Sequence, residues 1–253
     1  MTFSAHNIQF PNGESTIPDM DWFIGDHPWL KSTQRLLRVL YPNSDGKRII
    51  DLGCLEGGYT LELARMGFDA LGVEVRQSNF DNCIEIKNAF KLPNLEFAKD
   101  DVWNIDKYGE FDVAFCCGLL YHLDKPREFI NKMAKHANVV IINTHFATDK
   151  PSTVFNLSEI TVNEGLPGRW YGEHEATNVE ELEKLKWTSW ENNRSFWLTR
   201  PGIFEALSDA GFDIVFEQVD QLAGFHGQSL LDNMTSGYYA TQDRGTFVGI
   251  KQA

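Results

Sequence analysis

The sequence has no long apolar run and no cluster of basic residues. No stretch approaches the roughly 18 uncharged apolar residues that a membrane-spanning helix needs. Residues 1–16 lack a basic segment followed by an apolar one, so we expect no secretory signal. With 23 basic and 36 acidic residues, the net charge is −13. Because such a chain is not attracted to phosphate backbones or anionic lipids, we expect neither a nucleic-acid nor a membrane partner. The missing secretory signal leads us to expect a cytoplasmic protein.

Cysteine is also scarce. The four cysteines are Cys54, Cys83, Cys116 and Cys117, and no two of them form a C-x-x-C pair. A bridge between the adjacent Cys116 and Cys117 would be strained. Since a protein without a secretory signal meets a reducing environment, we expect four free thiols.

Residues 1–27 are rich in turn-forming residues and are expected to form an irregular arm. From residue 28 to residue 147, short apolar runs alternate with amphipathic segments, one of which predicts a helix over about 126–136. This alternation predicts an α/β fold with a doubly wound, mostly parallel sheet. Residues 148–198 break the pattern and contain four tryptophans, which indicates an inserted cap after strand five. Residues 199–253 return to a helix and two strands with an irregular segment between the strands, which makes seven strands. We therefore divide the chain into an N-terminal arm and helix, a core, the cap and a C-terminal part: 1–46, 47–147, 148–198 and 199–253.

The strongest local signal is the sequence DLGCLEGG, which begins at Asp51 directly after the first predicted strand. Its glycines permit a tight turn and the close approach of a ligand. Glu74 ends the second strand, where an acidic side chain accepts hydrogen bonds from the hydroxyls of a ribose. The two features predict an adenosine ligand at the carboxyl edge of the sheet. The alternative is a glycine-rich turn that binds nothing.

The same residues indicate which type of nucleotide ligand the turn would bind. A dinucleotide-binding turn of the form G-x-G-x-x-G would need glycine where Leu55 stands, and a phosphate-binding Gly-Lys-Ser/Thr sequence is absent. The carboxylate of Asp51 would repel a pyrophosphate but suits a ligand that carries an ammonium group or another positive charge.

These motifs resemble those of the class I S-adenosylmethionine-dependent methyltransferases. DLGCLEGG resembles the first motif of that family, GVEV with Glu74 resembles the second, KDDVWNI resembles the adenine-contacting segment, and FDVAFCCGLLYHLDKP resembles the fourth-strand motif. The resemblance covers residues 47–147 and 199–252, and implies a seven-stranded sheet whose last strand is antiparallel. Leu55 departs from the family's middle glycine. The arm, with Trp22 and His27, resembles segments that close over the cofactor.

The resemblance implies S-adenosyl-L-methionine as the cofactor. The residues that it places at the cofactor are Asp51, Gly53, Cys54, Gly57, Glu74, Val75, Asp101, Val102, Cys117 and Gly118.

GLLYHLDKP and the later SFWLTRPGIFEALSDAGF also resemble a branch that contains tRNA wobble-uridine carboxymethyl-transferring enzymes. Enzymes that methylate small molecules share this arrangement, and the net charge of −13 argues against tRNA. We therefore predict methyl transfer to a small molecule, at a hydroxyl oxygen. The alternatives are an enzyme that modifies tRNA and a binding protein that has lost catalysis.

Transfer to a hydroxyl is assisted by a general base within hydrogen-bond reach. His122 follows the fourth strand and is the first candidate, with a helix-capping or structurally hydrogen-bonded histidine as the alternative. His145, at the end of strand five, is the second, and Tyr121 is expected to shape the acceptor site. No compact spacing of ligands such as H-x-x-x-H occurs, so we expect no metal.

The cap supplies the candidates for acceptor binding, which are Trp170, Tyr171, His174, Arg194 and Trp197. The aromatic rings could form an apolar pocket, and Arg194 could hold an anionic group of the acceptor. The alternative is that the rings only pack the cap onto the sheet and that the arginine is a surface charge.

Overall fold

A computed structural model of the 253-residue chain describes residues 2–150, 154–222, 230–236, 239 and 243–252. Its strands are β1 (Arg48–Leu52), β2 (Asp69–Glu74), β3 (Leu95–Lys99), β4 (Phe111–Cys117), β5 (Ala137–His145), β6 (Thr161–Asn163), β7 (Leu166–Gly172), β8 (Arg194–Leu198), β9 (Ile214–Gln218) and β10 (Arg244–Ile250). Seven of them form one sheet in the order β3-β2-β1-β4-β5-β10-β9. The predicted α/β fold is confirmed.

The α-helices are α1 (Pro28–Leu40), α2 (Gly58–Arg65), α3 (Gln77–Phe90), α4 (Pro126–His136), α5 (Val179–Lys184), α6 (Arg200–Asp209) and α7 (Leu230–Ser236). Prolines occupy the first turns of α1, α4 and α6, where the missing N–H costs nothing. The side-chain oxygen of Thr199 accepts the N–H of Gly202 at 3.1 Å and caps α6. None of the helices in the described part of the chain is both long and apolar enough to span a bilayer.

Two compact units divide the chain, Met1–Phe115 and Cys116–Ala253. In the first unit, β1 pairs in parallel with β2 and with residues 113–115 of β4, and β2 pairs in parallel with β3. The core of this unit contains fully buried side chains from β1, β2 and α2, among them Ile49, Ile50, Leu52, Val73 and Leu61. Because these strands run in parallel, β1 and β2 end at one edge, where the turn after Asp51 and the carboxylate of Glu74 meet.

The N-terminal arm of the first unit is irregular, as predicted, with one short helical turn at Ile24–Asp26. Its aromatic side chains form a chain of ring contacts. The ring of Trp22 lies 5.4 Å from that of His27, which lies 5.5 Å from Trp29, and Trp29 lies 4.7 Å from Tyr59 of α2. The arm is thereby attached to the helix that follows the glycine-rich turn.

In the second unit, β10 lies between β5 and β9 and is antiparallel to both. The predicted cap contains a three-stranded antiparallel sheet in the order β6-β7-β8, together with α5. Sequence analysis did not predict these strands, because β7 (LPGRWYG) holds a proline and two glycines, which disfavour strand structure. Pairing with β8 along five residues stabilises β7 despite its composition. Part of the predicted irregular segment between the last two strands lies outside the described residues.

Candidate active site

The glycine turn (residues 53–58) connects β1 to α2. The backbone N–H groups of Gly53 and Cys54 both donate to the carbonyl oxygen of Val73, at 3.0 Å each. Gly57 has a φ of +77°, and a Cβ at this position would lie 2.8 Å from the ring of Phe97. The turn therefore requires glycine here, both for its backbone conformation and for space.

Leu55 stands where the family has its middle glycine, and its φ is +53°. A left-handed conformation costs a non-glycine residue about 1–2 kcal/mol. The N–H of Leu55 donates to Oε2 of Glu74 at 3.0 Å, which offsets part of this cost. The turn is thus joined to the end of β2 through a backbone hydrogen bond that does not need glycine.

Glu74 is only 5% exposed. Its Oε1 accepts the N–H of Arg76 at 2.8 Å, so each carboxylate oxygen accepts one backbone donor. A carboxylate has about four acceptor positions, so both oxygens can accept a further hydrogen bond. Burial raises the pKa of Glu74 to about 7, although the hydrogen bond from Arg76 acts in the opposite direction. The side chain is fixed in one orientation and still able to bind two hydroxyl groups.

Asp51 is 1% exposed, and its Oδ2 accepts the hydroxyl of Thr60 in α2 at 2.6 Å. Burial raises the pKa of Asp51 to about 7; the hydrogen bond from Thr60 lowers it, and the charge of Glu74 raises it further. Asp51, which sequence analysis places at the cofactor, therefore also joins β1 to α2.

The other predicted cofactor residues of the first unit lie around this edge. Cys54 is buried, with its Sγ 3.8 Å from that of Cys83, and none of the four cysteines forms a disulfide bond. Val75 is half-buried and Val102 is buried. Oδ1 of Asp101 accepts the N–H of Trp103 at 2.7 Å and caps the short helix Val102–Tyr108.

The second unit carries the predicted base on the helical turn Leu120–His122, which follows β4. Nδ1 of His122 lies 2.9 Å from Oε1 and 3.0 Å from Oε2 of Glu173. The Glu173 side chain is fully buried, and its Oε2 also accepts the N–H of Ser189 at 3.0 Å. A histidine and a carboxylate that are 51 residues apart in the chain are thus in direct contact.

The contact with Glu173 determines the tautomer of His122. An ionised carboxylate can only accept a hydrogen bond, so Nδ1 of His122 carries a proton, and in the neutral ring Nε2 then keeps its lone pair. Burial is the largest single influence on Glu173 and raises its pKa, but the interactions with His122, Ser195 and Ser189 together outweigh burial and hold that pKa below its usual value. Nε2 has no hydrogen-bond partner within the described part of the chain, so this nitrogen can accept a proton.

The ring of His145 is packed among aromatic rings. It stacks on Trp197 at 5.0 Å with an interplanar angle of 13°, and lies 4.7 Å from Tyr121 and 5.0 Å from Phe155. Tyr171 lies 5.3 Å from Trp197. We call these five residues the aromatic cluster. It brings together the predicted site residues Tyr121, His145, Tyr171 and Trp197.

Two other predicted acceptor residues, Trp170 and Arg194, lie on the other face of the cap sheet. Side chains alternate along a strand, and in the β7–β8 pair Trp170 is opposite Phe196. The guanidinium of Arg194 lies 4.2 Å above the ring of Trp170. The predicted acceptor set is therefore divided between two faces, with Tyr171 and Trp197 on one and Trp170 and Arg194 on the other.

A family model described as a methyltransferase domain matches residues 26–217, more than half of the chain. The chain belongs to this methyltransferase family. It is a class I S-adenosylmethionine-dependent methyltransferase, as its motifs predicted, and S-adenosyl-L-methionine is its cofactor.

Two curated relatives match parts of the methyltransferase. A probable cobalt-precorrin-6B C(15)-methyltransferase (decarboxylating) of Thermoplasma acidophilum is 27% identical over 135 residues, which are 49% of this chain and 65% of the relative. A ubiquinone biosynthesis O-methyltransferase of Rickettsia bellii is 23% identical over 113 residues, which are 44% of this chain and 47% of the relative. The chain thus spans about half to two thirds of these relatives.

Among solved structures, the N-terminal domain of EvdMO1, crystallised in the presence of SAH and D-fucose, has a TM-score of 0.68 and 23% identity. The match covers 97% of this chain and 90% of that one. The two proteins share a fold. The resemblance to the tRNA-modifying branch stays a prediction, since these comparisons do not show it.

The methyltransferase presents a donor and acceptor set that fits its cofactor. Glu74 is held by two backbone N–H groups, and its remaining acceptor positions would suit the two hydroxyls of a ribose. The buried, mutually repelling carboxylates of Asp51 and Glu74 favour a ligand that carries positive charge, such as a sulfonium or an ammonium group.

Two further predicted cofactor residues lie in the second unit. Cys117 is the last residue of β4, and Gly118 follows it. Gly118 has a φ of +73°, and its N–H donates to the carbonyl oxygen of Asn143 at 2.9 Å. Cys117 is half-buried.

Several buried polar groups of the cap have no partner within the described ranges. Nδ1 of His174 accepts the N–H of Ala176 at 3.2 Å, so Nε2 carries the proton, and this buried N–H has no acceptor there. The buried Nε1–H of Trp197 likewise has no acceptor within those ranges. Within the described residues, no three histidine, cysteine, aspartate or glutamate side chains are grouped to hold a metal.

Sequence analysis missed two residues of this region. Glu173 stands next to His174, but nothing in its local sequence links it to His122. Arg244 begins β10, donates from Nε to Oδ1 of Asn143 at 2.7 Å and lies 5.6 Å from the ring of Tyr121. Both reach the end of β4 through long-range contacts that leave no periodic signal.

Proposed function

We propose that the methyltransferase transfers a methyl group to a hydroxyl oxygen of a small molecule. The observation that carries this proposal is the hydrogen bond between His122 and the buried Glu173. When bound, S-adenosylmethionine supplies an electrophilic methyl group for an in-line displacement. A hydroxyl group is a weak nucleophile at neutral pH, so a base that removes its proton raises the rate about 10²–10⁴-fold.

In this mechanism Nε2 of His122 accepts the hydroxyl proton while the oxygen takes the methyl group. The imidazolium that forms is stabilised by the carboxylate of Glu173, which hydrogen-bonds Nδ1 and is itself held by Ser189. Glu173 has a lowered pKa, so the carboxylate stays ionised and keeps the imidazole in the tautomer that accepts at Nε2.

The aromatic cluster supports an acceptor that carries a ring. Tyr121, Tyr171 and Trp197 offer flat apolar surfaces, and Nε1 of Trp197 and Nε2 of His174 are buried donors that could bind oxygen atoms of the acceptor. We place Trp170 and Arg194 outside the acceptor site, because they lie on the opposite face of β7 and β8. His145 is a packing residue of the cluster in this proposal, and His122 is the base.

For the cofactor, we propose that Glu74 binds the ribose and that Asp101 and Val102 lie at the adenine. The backbone around Gly53, Cys54 and Gly57 would accommodate the methionine part, with Val75, Cys117 and Gly118 completing the contacts. The positions of Gly53 and Glu74 at the ends of β1 and β2 support this assignment.

The small-molecule assignment is supported by the names of the relatives, one of which is an O-methyltransferase of ubiquinone biosynthesis. A related fold was crystallised in the presence of D-fucose. Phenols and sugars are therefore the first acceptors to test. The net charge of −13 is unfavourable for binding tRNA.

The test is turnover of methyl-labelled cofactor with a panel of phenols and sugars, each paired with an analogue whose hydroxyl is absent or already methylated. We expect methyl transfer to a hydroxyl-bearing acceptor and none to its analogue. His122→Asn retains an amide donor for Glu173 but lacks Nε2, so it should reduce kcat about 100-fold. His136→Asn, on α4, is the matched control. Transfer to amines only, or full activity of His122→Asn, would contradict the proposal.

A further inference from the structure

A fully buried carboxylate lies within the glycine turn. Glu56 accepts the N–H groups of Ser4 at 2.8 Å, Ala5 at 2.9 Å and His6 at 2.9 Å, and also the hydroxyl of Ser4 at 3.0 Å. A buried charge is costly unless such donors compensate it. Residues 4–6, which we call the arm segment, supply all four of these hydrogen bonds. Glu56 therefore depends on a segment about 50 residues away in sequence.

A second contact joins the same two segments. Nδ1 of His6 accepts the N–H of Gly58 at 2.9 Å. Gly58 is the first residue of α2, and the first N–H groups of a helix have no partner inside the helix. Nδ1 of His6 thus acts as the cap that the Gly57 position, without a side chain, cannot provide.

The packing around His6 leaves little freedom. The side chain is 4% exposed, its ring lies 4.7 Å from that of Tyr59, and a Cβ on Gly58 would lie 2.9 Å from the imidazole. To accept from Gly58, Nδ1 must be unprotonated. Burial lowers the pKa of His6 to about 4, although the charge of Glu56 acts in the opposite direction. The ring is therefore neutral near pH 7.

These contacts hold the turn at Glu56 and Gly58, while Glu74 holds it at Leu55. We propose that His6 and Glu56 are positioning residues for the cofactor, and that the arm segment holds the glycine turn in its binding conformation. Without the arm segment, the turn would spend part of its time in other conformations. The apparent dissociation constant of the cofactor would then rise in inverse proportion to the fraction of molecules whose turn is in the binding conformation. This inference rests on the cofactor placement proposed above, which the Glu74→Ala variant tests separately, and it is independent of the acceptor chemistry.

The test compares His6→Ala with His6→Asn in the 253-residue chain. An asparagine places its side-chain oxygen near the position of Nδ1, so it can still accept the N–H of Gly58. We expect His6→Ala to raise the dissociation constant of S-adenosylhomocysteine about fivefold, and His6→Asn to raise it less than about twofold. Asn12→Ala, on the exposed part of the arm, is the control and should bind normally.

Kinetics separate positioning from chemistry. In His6→Ala, KM for S-adenosylmethionine should rise about fivefold while kcat stays within about twofold. If His6→Ala does not fold, Glu56→Gln serves instead, because it keeps one acceptor oxygen and removes the charge; its dissociation constant should also rise. Equal losses of affinity in the alanine and asparagine variants would overturn the role of Nδ1. Unchanged affinity in both His6→Ala and Glu56→Gln would overturn the proposal as a whole.

Discussion

The turn after β1 and the region around His122 differ in how their functional groups are assembled. In the first, the predicted residues lie between positions 51 and 102, each next to the end of a strand, and the backbone makes most of the contacts. In the second, His122 meets Glu173 from the cap, and Tyr121 meets His145 and Trp197. Here the contacts are made by side chains from distant segments.

Sites that are assembled in these two ways should respond differently to substitutions of their side chains. A site built from backbone groups tolerates a changed side chain as long as the dihedral angles remain accessible, as Leu55 shows. A site built from a side-chain pair depends on both members. We therefore expect single substitutions to be severe at His122 and Glu173, and graded in the glycine turn.

The largest expected effect is the loss of the pair between His122 and Glu173. Glu173→Ala should lower kcat on the order of 100-fold, because the imidazole loses the group that fixes its tautomer and stabilises its charge. The double variant with His122→Ala should be little slower than the slower single variant, since the two residues act as a unit. Steady-state kinetics of all three variants measure this. Additive losses would mean that Glu173 acts independently of His122.

The next largest effect is expected at the ribose contact. Glu74→Ala should weaken the binding of S-adenosylhomocysteine by about 1–3 kcal/mol, because two charge-assisted hydrogen bonds are lost. Calorimetric titration measures this, with Glu96→Ala on the exposed side of β3 as the control. An unchanged dissociation constant would rule out Glu74 as the ribose ligand.

The pH dependence of cofactor binding is a second test of Glu74 as the ribose ligand. The pKa of Glu74 is raised to about 7, and hydroxyl donors favour its ionised form. Affinity should therefore be complete above pH 7 and fall as the pH decreases through 7, by about tenfold between pH 8 and pH 6. Glu74→Gln should bind more weakly but with a flatter profile. A fall equally steep in Glu74→Gln would assign the titration to Asp51.

The smallest effects are expected at Leu55. Leu55→Gly should leave cofactor affinity within about threefold, because glycine adopts a positive φ without cost. Leu55→Val should destabilise the turn, because a β-branched residue is strongly disfavoured there. Thermal unfolding and calorimetry of the two variants measure this. Equal behaviour of the glycine and valine variants would show that the backbone conformation of residue 55 does not matter for binding.

Local information in the sequence predicted the fold, which is confirmed, and also the cofactor residues, which stay a prediction. Alternating strands and helices predicted the sheet, and the spacing from Asp51 to Glu74 predicted two strand ends at one edge. Such features are readable because strand period, turn residues and the position of a strand end are properties of short segments. Helix α4, expected at residues 126–136, is observed at Pro126–His136.

Other features of the site and of the cap depend on tertiary contacts and could not be predicted from the sequence. The contacts of Glu173 with His122 and of His6 with Gly58 join residues about 50 positions apart, and no local pattern marks such pairs. The cap sheet formed although β7 contains a proline and two glycines, because pairing with β8 outweighs local preference. Trp170 and Trp197 look equivalent in the sequence, yet they lie on opposite faces of that sheet. The physical reason is the same in each case: these contacts depend on which segments the folded chain brings together, and short stretches of sequence do not contain that information.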